Sequence, residues 1–209
     1  ICVPEKQKSI LRDTPWGEMT YIEYKYRMEF DLDEYSEIDS YCKNKPIEWT
    51  TSVWDINSLD FMTKFDVPFI KIPSAQITNK KLIESISKID HFYILSTGMM
   101  NWDMVDEVVN MLEKNNTKYA LLHCNSTYPA PHDELNLSII PEMKKRYGCI
   151  VGYSGHEYDL VPSVIAVVLG AQIIERHITL DHEMWGTDQK SSLEVNGMDL
   201  LQKRMKGIN

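Results

Sequence analysis

The chain has 209 residues, 43% of them hydrophobic and 25% charged, the balance of an ordinary globular domain long enough to bury a core. Its 31 acidic residues against 22 basic ones give a formal charge of −9, and no basic cluster offers a footing for nucleic acid or an anionic membrane surface, so an anionic ligand has to be met by a local positive site. No apolar run approaches the roughly 20 residues that span a bilayer and the first residues make no signal peptide, while Cys2, Cys42, Cys124 and Cys149 are widely spaced with no Cys-x-x-Cys pair, which argues against a zinc knuckle and for reduced thiols in a cytoplasm.

Residues 1–30 show little apolar periodicity but carry Trp16, Tyr21, Tyr24, Tyr26 and Phe30. They read as a long ordered arm with Thr14-Pro15-Trp16-Gly17 as a turn. The spacing of Leu32, Tyr35, Ile38 and Tyr41 or Cys42 predicts a helix that ends near Asn44, before Pro46. A regular beat follows. Candidate strands at 48–53, 68–72, 92–96, 119–124, 149–153 and 171–179 alternate with amphipathic helices near 56–65, 79–88, 102–115, 136–146, 159–169 and 197–206. The strands are apolar runs rather than alternating ones, as burial on both faces of a parallel sheet demands. Asn79 and Asn101 stand where helix caps belong. No linker or low-complexity segment divides the chain, so one α/β domain is expected. Six strand-plus-helix units suit an open doubly wound sheet and fall two short of a closed barrel. The aromatic arm and the absence of a leading Met suggest two further units upstream.

Polar residues punctuate nearly every strand end: Thr50 and Thr51, Lys71 with Ser74, Ser96 with Thr97, His123 with Asn125 and Ser126, Ser154 with His156, Glu175 with His177. One such residue alone is ordinarily a cap or a satisfied core group, but a ring of them points to the C-terminal edge of a parallel sheet as the place of chemistry. Lys71 interrupts a buried strand, and a buried ammonium without a partner costs several kcal/mol, so a bound carboxylate or phosphate is a natural reason for it. Ser96-Thr97-Gly98, just before a helix, reads either as a tight turn with a cap or as donors to phosphate oxygens. His156 and His177 end neighbouring strands roughly 4.8 Å apart. They are either core histidines bonded to backbone or a pair sharing one divalent metal, and the nearby Glu175 and Asp188 favour metal. His91, His132 and His182 lie in turn-like surroundings and are expected to be exposed.

Taken together, Lys71-Ile72-Pro73-Ser74 with Ile77-Thr78-Asn79, Ile94-Leu95-Ser96-Thr97-Gly98-Met99, Leu121-Leu122-His123-Cys124 with Ser126-Thr127-Tyr128-Pro129, Gly152-Tyr153-Ser154-Gly155-His156, Ile174-Glu175-Arg176-His177-Ile178-Thr179-Leu180-Asp181, and Met184-Trp185-Gly186-Thr187-Asp188-Gln189 with Ser192-Leu193-Glu194 form a specific pattern. It resembles the sialic acid synthase family, the phosphoenolpyruvate-dependent synthases of N-acetylneuraminate and related nonulosonates. Asp13-Thr14-Pro15-Trp16-Gly17 and residues 24–30 also look like this family's arm, so the likeness covers nearly the whole chain in order. The resemblance implies a (β/α)8 TIM barrel, here incomplete, with about six of eight βα units: residues 1–30 as the arm before strand 3 and residues 46–209 as strands 3 to 8 with their helices. By that comparison the first two strands and a C-terminal antifreeze-like domain are absent. Residues 1–209 alone would then expose two strand edges, aggregate or oligomerise, and be inactive. The chain departs from the family at Gln76, where many members carry a glutamate, and at Lys190, where alanine is common.

What the resemblance implies chemically is a cytoplasmic, homodimeric transferase that condenses phosphoenolpyruvate with an N-acetylhexosamine such as N-acetylmannosamine or its 6-phosphate, with release of phosphate. Carried over residue by residue, His156 and His177 hold a divalent metal, Mn2+ first, with Mg2+ or Co2+ as substitutes. Lys71, Ser74, Ser96 and Ser154 hold phosphoenolpyruvate, Ser126 lines the same site, and Tyr128 and Asp188 face the sugar. Lys71, Gln76, Tyr128 and Asp188 are the candidate catalytic residues. Two competing readings are a metal-dependent barrel hydrolase and an inactive or merely binding remnant of such a barrel.

Overall fold

The computed structural model describes residues 3–208, so Cys2 lies outside the described residues. It comprises two compact units, one up to Pro68 and one from Phe69 onward.

In the first unit the expected loop-like arm is a β-hairpin followed by a helix. β1 (Leu11–Thr14) and β2 (Gly17–Thr20) pair antiparallel, with the turn at Pro15-Trp16 as the sequence indicates. Thr14 Oγ1 donates to the Gly17 carbonyl at 2.7 Å and closes that turn. The strands escape a pattern search because most of their residues are exposed, leaving no alternation of apolar and polar positions. α1 (Tyr21–Met28) and α2 (Leu32–Lys43) each begin with a capping box, Thr20 with Glu23 and Asp31 with Glu34. α2 ends at Asn44, where expected. α3 (Ile56–Met62) is capped by the Asp55 carboxylate. The strand expected at 48–53 is not formed: the segment runs without regular pairing apart from a single bridge at Ser52. Its large side chains are committed elsewhere, Trp49 packing on Tyr35 and Phe65 while its indole N–H donates to Asp39, and Val53 fully buried.

The second unit is an α/β half-barrel. Its strands are β3 (Ile70–Ile72), β4 (Phe92–Ser96), β5 (Lys118–Cys124), β6 (Ile150–Gly155) and β7 (Ile173–Arg176), one for each of the five expected from residue 68 onward, all parallel and in sequential order. α4 (Lys80–Ile86), α5 (Trp102–Lys114), α6 (Ile139–Tyr147), α7 (Val161–Val168) and α8 (Val195–Lys206) alternate with or follow them. Asn79 and Asn101 cap α4 and α5 through their side-chain oxygens, and α6 stops at Gly148, which adopts φ 60° and returns its N–H to Lys144. The run expected as one strand over 171–179 breaks after Arg176, and a single bridge between Ile178 and Leu193 replaces the ladder.

Register divides the strands into two faces. One carries Lys71 on β3, Ile94 and Ser96 on β4, Ala120, Leu122 and Cys124 on β5, Gly152 and Ser154 on β6, and Ile173 and Glu175 on β7. Ile94, Ala120 and Leu122 form its apolar floor, with Phe69, Phe92 and Ile173 against it. Lys71 Nζ lies 2.8 Å from the carboxylate of Glu175, although their strands are first and last in the sheet. In a flat sheet four strand spacings amount to roughly 19 Å. Two side chains do not bridge that, so the sheet is curled and this face is its inside.

Gly152 is required by the packing of that inside face. A Cβ there would stand 2.5 Å from both Leu122 Cδ2 and the Ile173 carbonyl oxygen. Gly152→Ala should destabilise the protein by about 1–3 kcal/mol, read as a lowered denaturant midpoint at unchanged slope. An unchanged midpoint would contradict the close approach of β6 and β7.

Candidate active site

Apart from Lys71, which is in register with Ile94, the inside face becomes polar toward the C-terminal strand ends. The last shared row is Cys124, Ser154 and Glu175, and the ladder between β6 and β7 ends with Gly155 opposite Arg176. His156 and His177 follow immediately, so the two imidazoles stand at equal height, one step above the Ser154–Glu175 row. Their ring centres are 5.3 Å apart and the planes meet at 69°.

The bonding of His156 fixes its tautomer. Nδ1 faces the Asn125 carbonyl at 2.5 Å, an acceptor only, so Nδ1 carries the proton and Nε2 keeps a lone pair. The Tyr128 hydroxyl donates to that Nε2 at 3.1 Å and the Tyr128 ring stacks on the imidazole at 4.1 Å. Ser154 Oγ is 3.3 Å from the same nitrogen but spends its proton on Glu175 at 2.7 Å. Burial pushes His156 below the ordinary imidazole range, so the ring is neutral at pH 7. Burial first, then the acidic groups Cys124, Asp188 and Glu175, push the Tyr128 hydroxyl up to about 12, and it remains a donor. Its ring also meets His177 edge-on at 5.5 Å. Asp188 is half-exposed with its carboxylate 3.9 Å from His177 Nδ1, and it accepts a hydrogen bond from Thr187.

These two rings suit a shared divalent ion. A ligating nitrogen about 2.1 Å from a metal puts the ring centre roughly 3.2 Å away, so two rings at roughly 90–110° lie roughly 4.5–5.2 Å apart, close to the 5.3 Å seen. Among the described residues no group of three or more His, Cys, Asp or Glu side chains is gathered for a metal.

Below the histidines lies Lys71, which is buried. Its internal partner Glu175, rather than a bound anion alone, explains how the ammonium is tolerated. Burial works to raise the Glu175 carboxyl, but the Lys71 charge and the hydrogen bonds from Lys71 and Ser154 hold it below the usual range, so it is ionised. Sequence reasoning placed Glu175 beside the histidines but gave it no role and did not pair it with Lys71, although the two-residue period that points His177 inward points Glu175 inward too.

The remaining expected residues divide. Ser74 Oγ accepts from the Gly98 N–H at 3.1 Å and lies 3.1 Å from Cys124 Sγ. A Cβ on Gly98 would fall within 2.8 Å of Ser126 Oγ, Cys124 Sγ and Ser74 Oγ, so these three converge on one glycine. Thr97 is taken up structurally, its hydroxyl donating to the Leu122 carbonyl. Ser96 is 3% exposed and its hydroxyl has no partner. Thr117 Oγ1, Arg176 Nε and Ser191 Oγ are likewise buried without one among the described residues, but only Ser96 is on the inside face. The Gln76 side-chain oxygen accepts from Asn79 at 3.1 Å. His123 is not part of the ring: it points to the opposite face, against Tyr153 and the Leu135 carbonyl. His132 is exposed as expected, whereas His182 is half-buried between Glu194 and the Ser192 carbonyl.

Comparison with known proteins gives a consistent set of likenesses. The chain matches the NeuB family over residues 1–209. It is 38% identical to an N-acetylneuraminate-9-phosphate synthase of Drosophila melanogaster over 93% of this chain and 52% of that protein. It is 37% identical to an N,N'-diacetyllegionaminic acid synthase of Campylobacter jejuni over 87% of this chain and 55% of that one. The chain thus spans about half the length of the curated relatives it matches. The crystal structure of a sialic acid synthetase from Leptospira borgpetersenii, in complex with citrate, superposes with a TM-score of 0.83 at 30% identity, covering 86% of this chain and 63% of that one. A Thermotoga maritima DAHP synthase shares the fold at a TM-score of 0.71 and 19% identity, covering 81% of this chain and 53% of that one.

The unpartnered hydroxyl yields a test that needs no substrate. Ser96→Ala removes a group that makes no bond, so the unfolding midpoint should stay unchanged or rise. Thr97→Ala removes a satisfied hydroxyl and should cost about 1 kcal/mol. An equal loss in both variants would show that Ser96 has a structural partner.

Proposed function

Because this chain belongs to the NeuB family, we propose that it forms the catalytic face of a transferase that condenses phosphoenolpyruvate with an open-chain N-acetylhexosamine, giving a sialic acid or related nonulosonate and inorganic phosphate. The observation that carries this reading is the stacking, on one inside face, of a buried lysine and an unpartnered serine below two histidines at equal height. A hydrolase would call on three or more strong ligands, and that set is not gathered among the described residues.

Lys71 has three N–H donors, and Glu175 takes up its charge through two oxygens at 2.8 Å, leaving a donor for phosphate or carboxylate. Ser96, Ser74, Ser126 and Ser154 supply hydroxyls around the same ligand. C3 of phosphoenolpyruvate then forms its bond to the aldehyde carbon, water adds at C2, and phosphate leaves with the C2–O bond. The ion, Mn2+ first with Mg2+ or Co2+ as substitutes, would be held by His156 and His177 and supplies Lewis-acid polarisation of the aldehyde. The Tyr128 ring, stacked on His156, fills one side of the site, and its hydroxyl, a donor to His156 Nε2 in the structure, would be freed to meet a sugar oxygen when His156 gives that lone pair to an ion. Gln76 can orient water but cannot take its proton, which assigns that task to Asp188 beside His177. The reading includes a homodimer and a cytoplasmic setting, in keeping with the free thiols of Cys42, Cys124 and Cys149. Among the described residues no helix is long and apolar enough to cross a membrane.

Phosphate release from phosphoenolpyruvate, measured in the full-length natural protein with each N-acetylhexosamine and with or without Mn2+, tests the reading. Release should require both sugar and metal and should vanish in His156→Ala and His177→Ala while the fold persists. Sugar-independent release would overturn it. Lys71→Met should raise the apparent KM for phosphoenolpyruvate at least 10-fold, equivalent to about 1.5–3 kcal/mol for a charged hydrogen bond, with little change for the sugar. The charge-balanced Lys71→Met/Glu175→Gln variant separates loss of the ligand contact from an orphaned Glu175. Equal effects on both substrates in that variant would make Lys71 structural.

A further inference from the structure

On the outside of the same two strand ends lies a second charged group that the catalytic reading does not use. Glu157 follows His156 and Arg176 precedes His177, and their side chains are 0% and 1% exposed. Arg176 Nη1 donates to Glu157 Oε1 at 2.9 Å, to Ser163 Oγ at 3.0 Å and to the Asp159 carbonyl at 2.8 Å, while Nη2 donates to the Glu157 carbonyl. The other carboxylate oxygen of Glu157 accepts from the Tyr153 hydroxyl at 2.7 Å. Gly155 makes room for this arrangement, because a Cβ there would sit 2.8 Å from Glu157 Oε2 and 2.9 Å from Oε1.

The placement matters because the ladder stops one residue too early. Gly155 opposite Arg176 is the last pair of β6 and β7, so backbone pairing does not set the position of His156 relative to His177. Each histidine is tied by its own carbonyl to a different segment, His156 to the Ala130 N–H and His177 to the Leu193 N–H. The guanidinium reaches from the residue before one histidine to both the side chain and the backbone of the residue after the other. Removing two full charges from water is costly, and a buried pair is commonly no more stabilising than apolar residues of its size. Stability alone is therefore a weak reason for it.

We propose that Arg176 and Glu157 are positioning residues that hold the two histidine donors at the separation a shared divalent ion needs, an inference that rests on the assignment of His156 and His177 as the ligands. The pair touches neither substrate nor ion. It acts by fixing two backbones beyond the reach of the β-ladder, as outer-shell partners orient metal ligands elsewhere.

The test is Mn2+ binding followed by electron paramagnetic resonance of the free ion, with the full-length natural protein. Wild type should bind Mn2+ in a manner abolished by His156→Ala or His177→Ala. Arg176→Met/Glu157→Met replaces the pair with apolar side chains of similar bulk and should keep the unfolding midpoint close to wild type, yet weaken Mn2+ by about 10–100-fold. Tyr153→Phe, which removes only the hydroxyl bond to Glu157, should keep the fold and weaken Mn2+ by a smaller factor. Arg176→Lys, which retains the charge but not the fork, should fall between wild type and the double variant. If wild type binds Mn2+ through both histidines and the folded double and Tyr153→Phe variants bind equally well, the positioning role is overturned while the catalytic reading stands. If wild type binds no Mn2+ through the histidines, the metal assignment fails and takes this inference with it.

Discussion

The ion pair between Lys71 and Glu175 is the constraint on which the site depends. It joins the first strand of the five-stranded sheet to the last at 2.8 Å, a contact that only a curled sheet permits. Curling places the polar strand ends around one space instead of along a line. It also lets the apolar floor of Ile94, Ala120 and Leu122 exclude water from beneath the charged row. The Lys71 charge and the hydrogen bonds from Lys71 and Ser154 hold the Glu175 carboxyl below its usual range against the cost of burial, so it stays ionised. Removing either partner would leave the other's charge uncompensated.

The proposed function rests on a division of labour between the two faces of the same strand ends. The inside face holds Lys71, Ser96, Ser154 and the histidine pair, the groups to which the proposal assigns the phosphorylated enol and the aldehyde. The outside face holds Arg176 and Glu157, bonded to each other and to Ser163 and Tyr153 and shut away from solvent. Alternation along β7 delivers both, since Glu175 and His177 point one way and Arg176 the other. A one-residue slip of β7 would exchange these faces and destroy the site, which is why Gly152, wedged against Leu122 and the Ile173 backbone, matters to Ser154 on the same strand and His156 just past its end.

Much of this was legible in the sequence, for identifiable reasons. The buried parallel strands announce themselves as apolar runs, and Asn79 and Asn101 mark helix starts by their capping chemistry. The histidines were readable because each ends such a run. The Lys71–Glu175 contact was not, because 104 residues separate the partners and no local pattern records the curl that unites them. The hairpin of β1 and β2 was missed for the opposite reason: its residues are largely exposed, and Pro15-Trp16 is not a turn pair that signals a hairpin. The segment at 48–53 has strand-like composition but spends its large side chains on the Tyr35–Phe65 aromatic cluster and the first-unit core. The capping boxes at Thr20 and Asp31 were present in the sequence as the T/D-x-x-E pattern and would have located α1 as a helix.

The most direct test of the account is the position of metal and phosphoenolpyruvate in one crystal. Anomalous diffraction at the manganese edge, from the full-length natural protein soaked with Mn2+ and phosphoenolpyruvate, should give a single strong peak within bonding distance of one nitrogen of each of His156 and His177. The phosphate or carboxylate should lie against Lys71 and the Ser96 hydroxyl on the inside face. A manganese peak away from the histidine pair, or phosphoenolpyruvate bound with Lys71 and Ser96 untouched, would contradict the account.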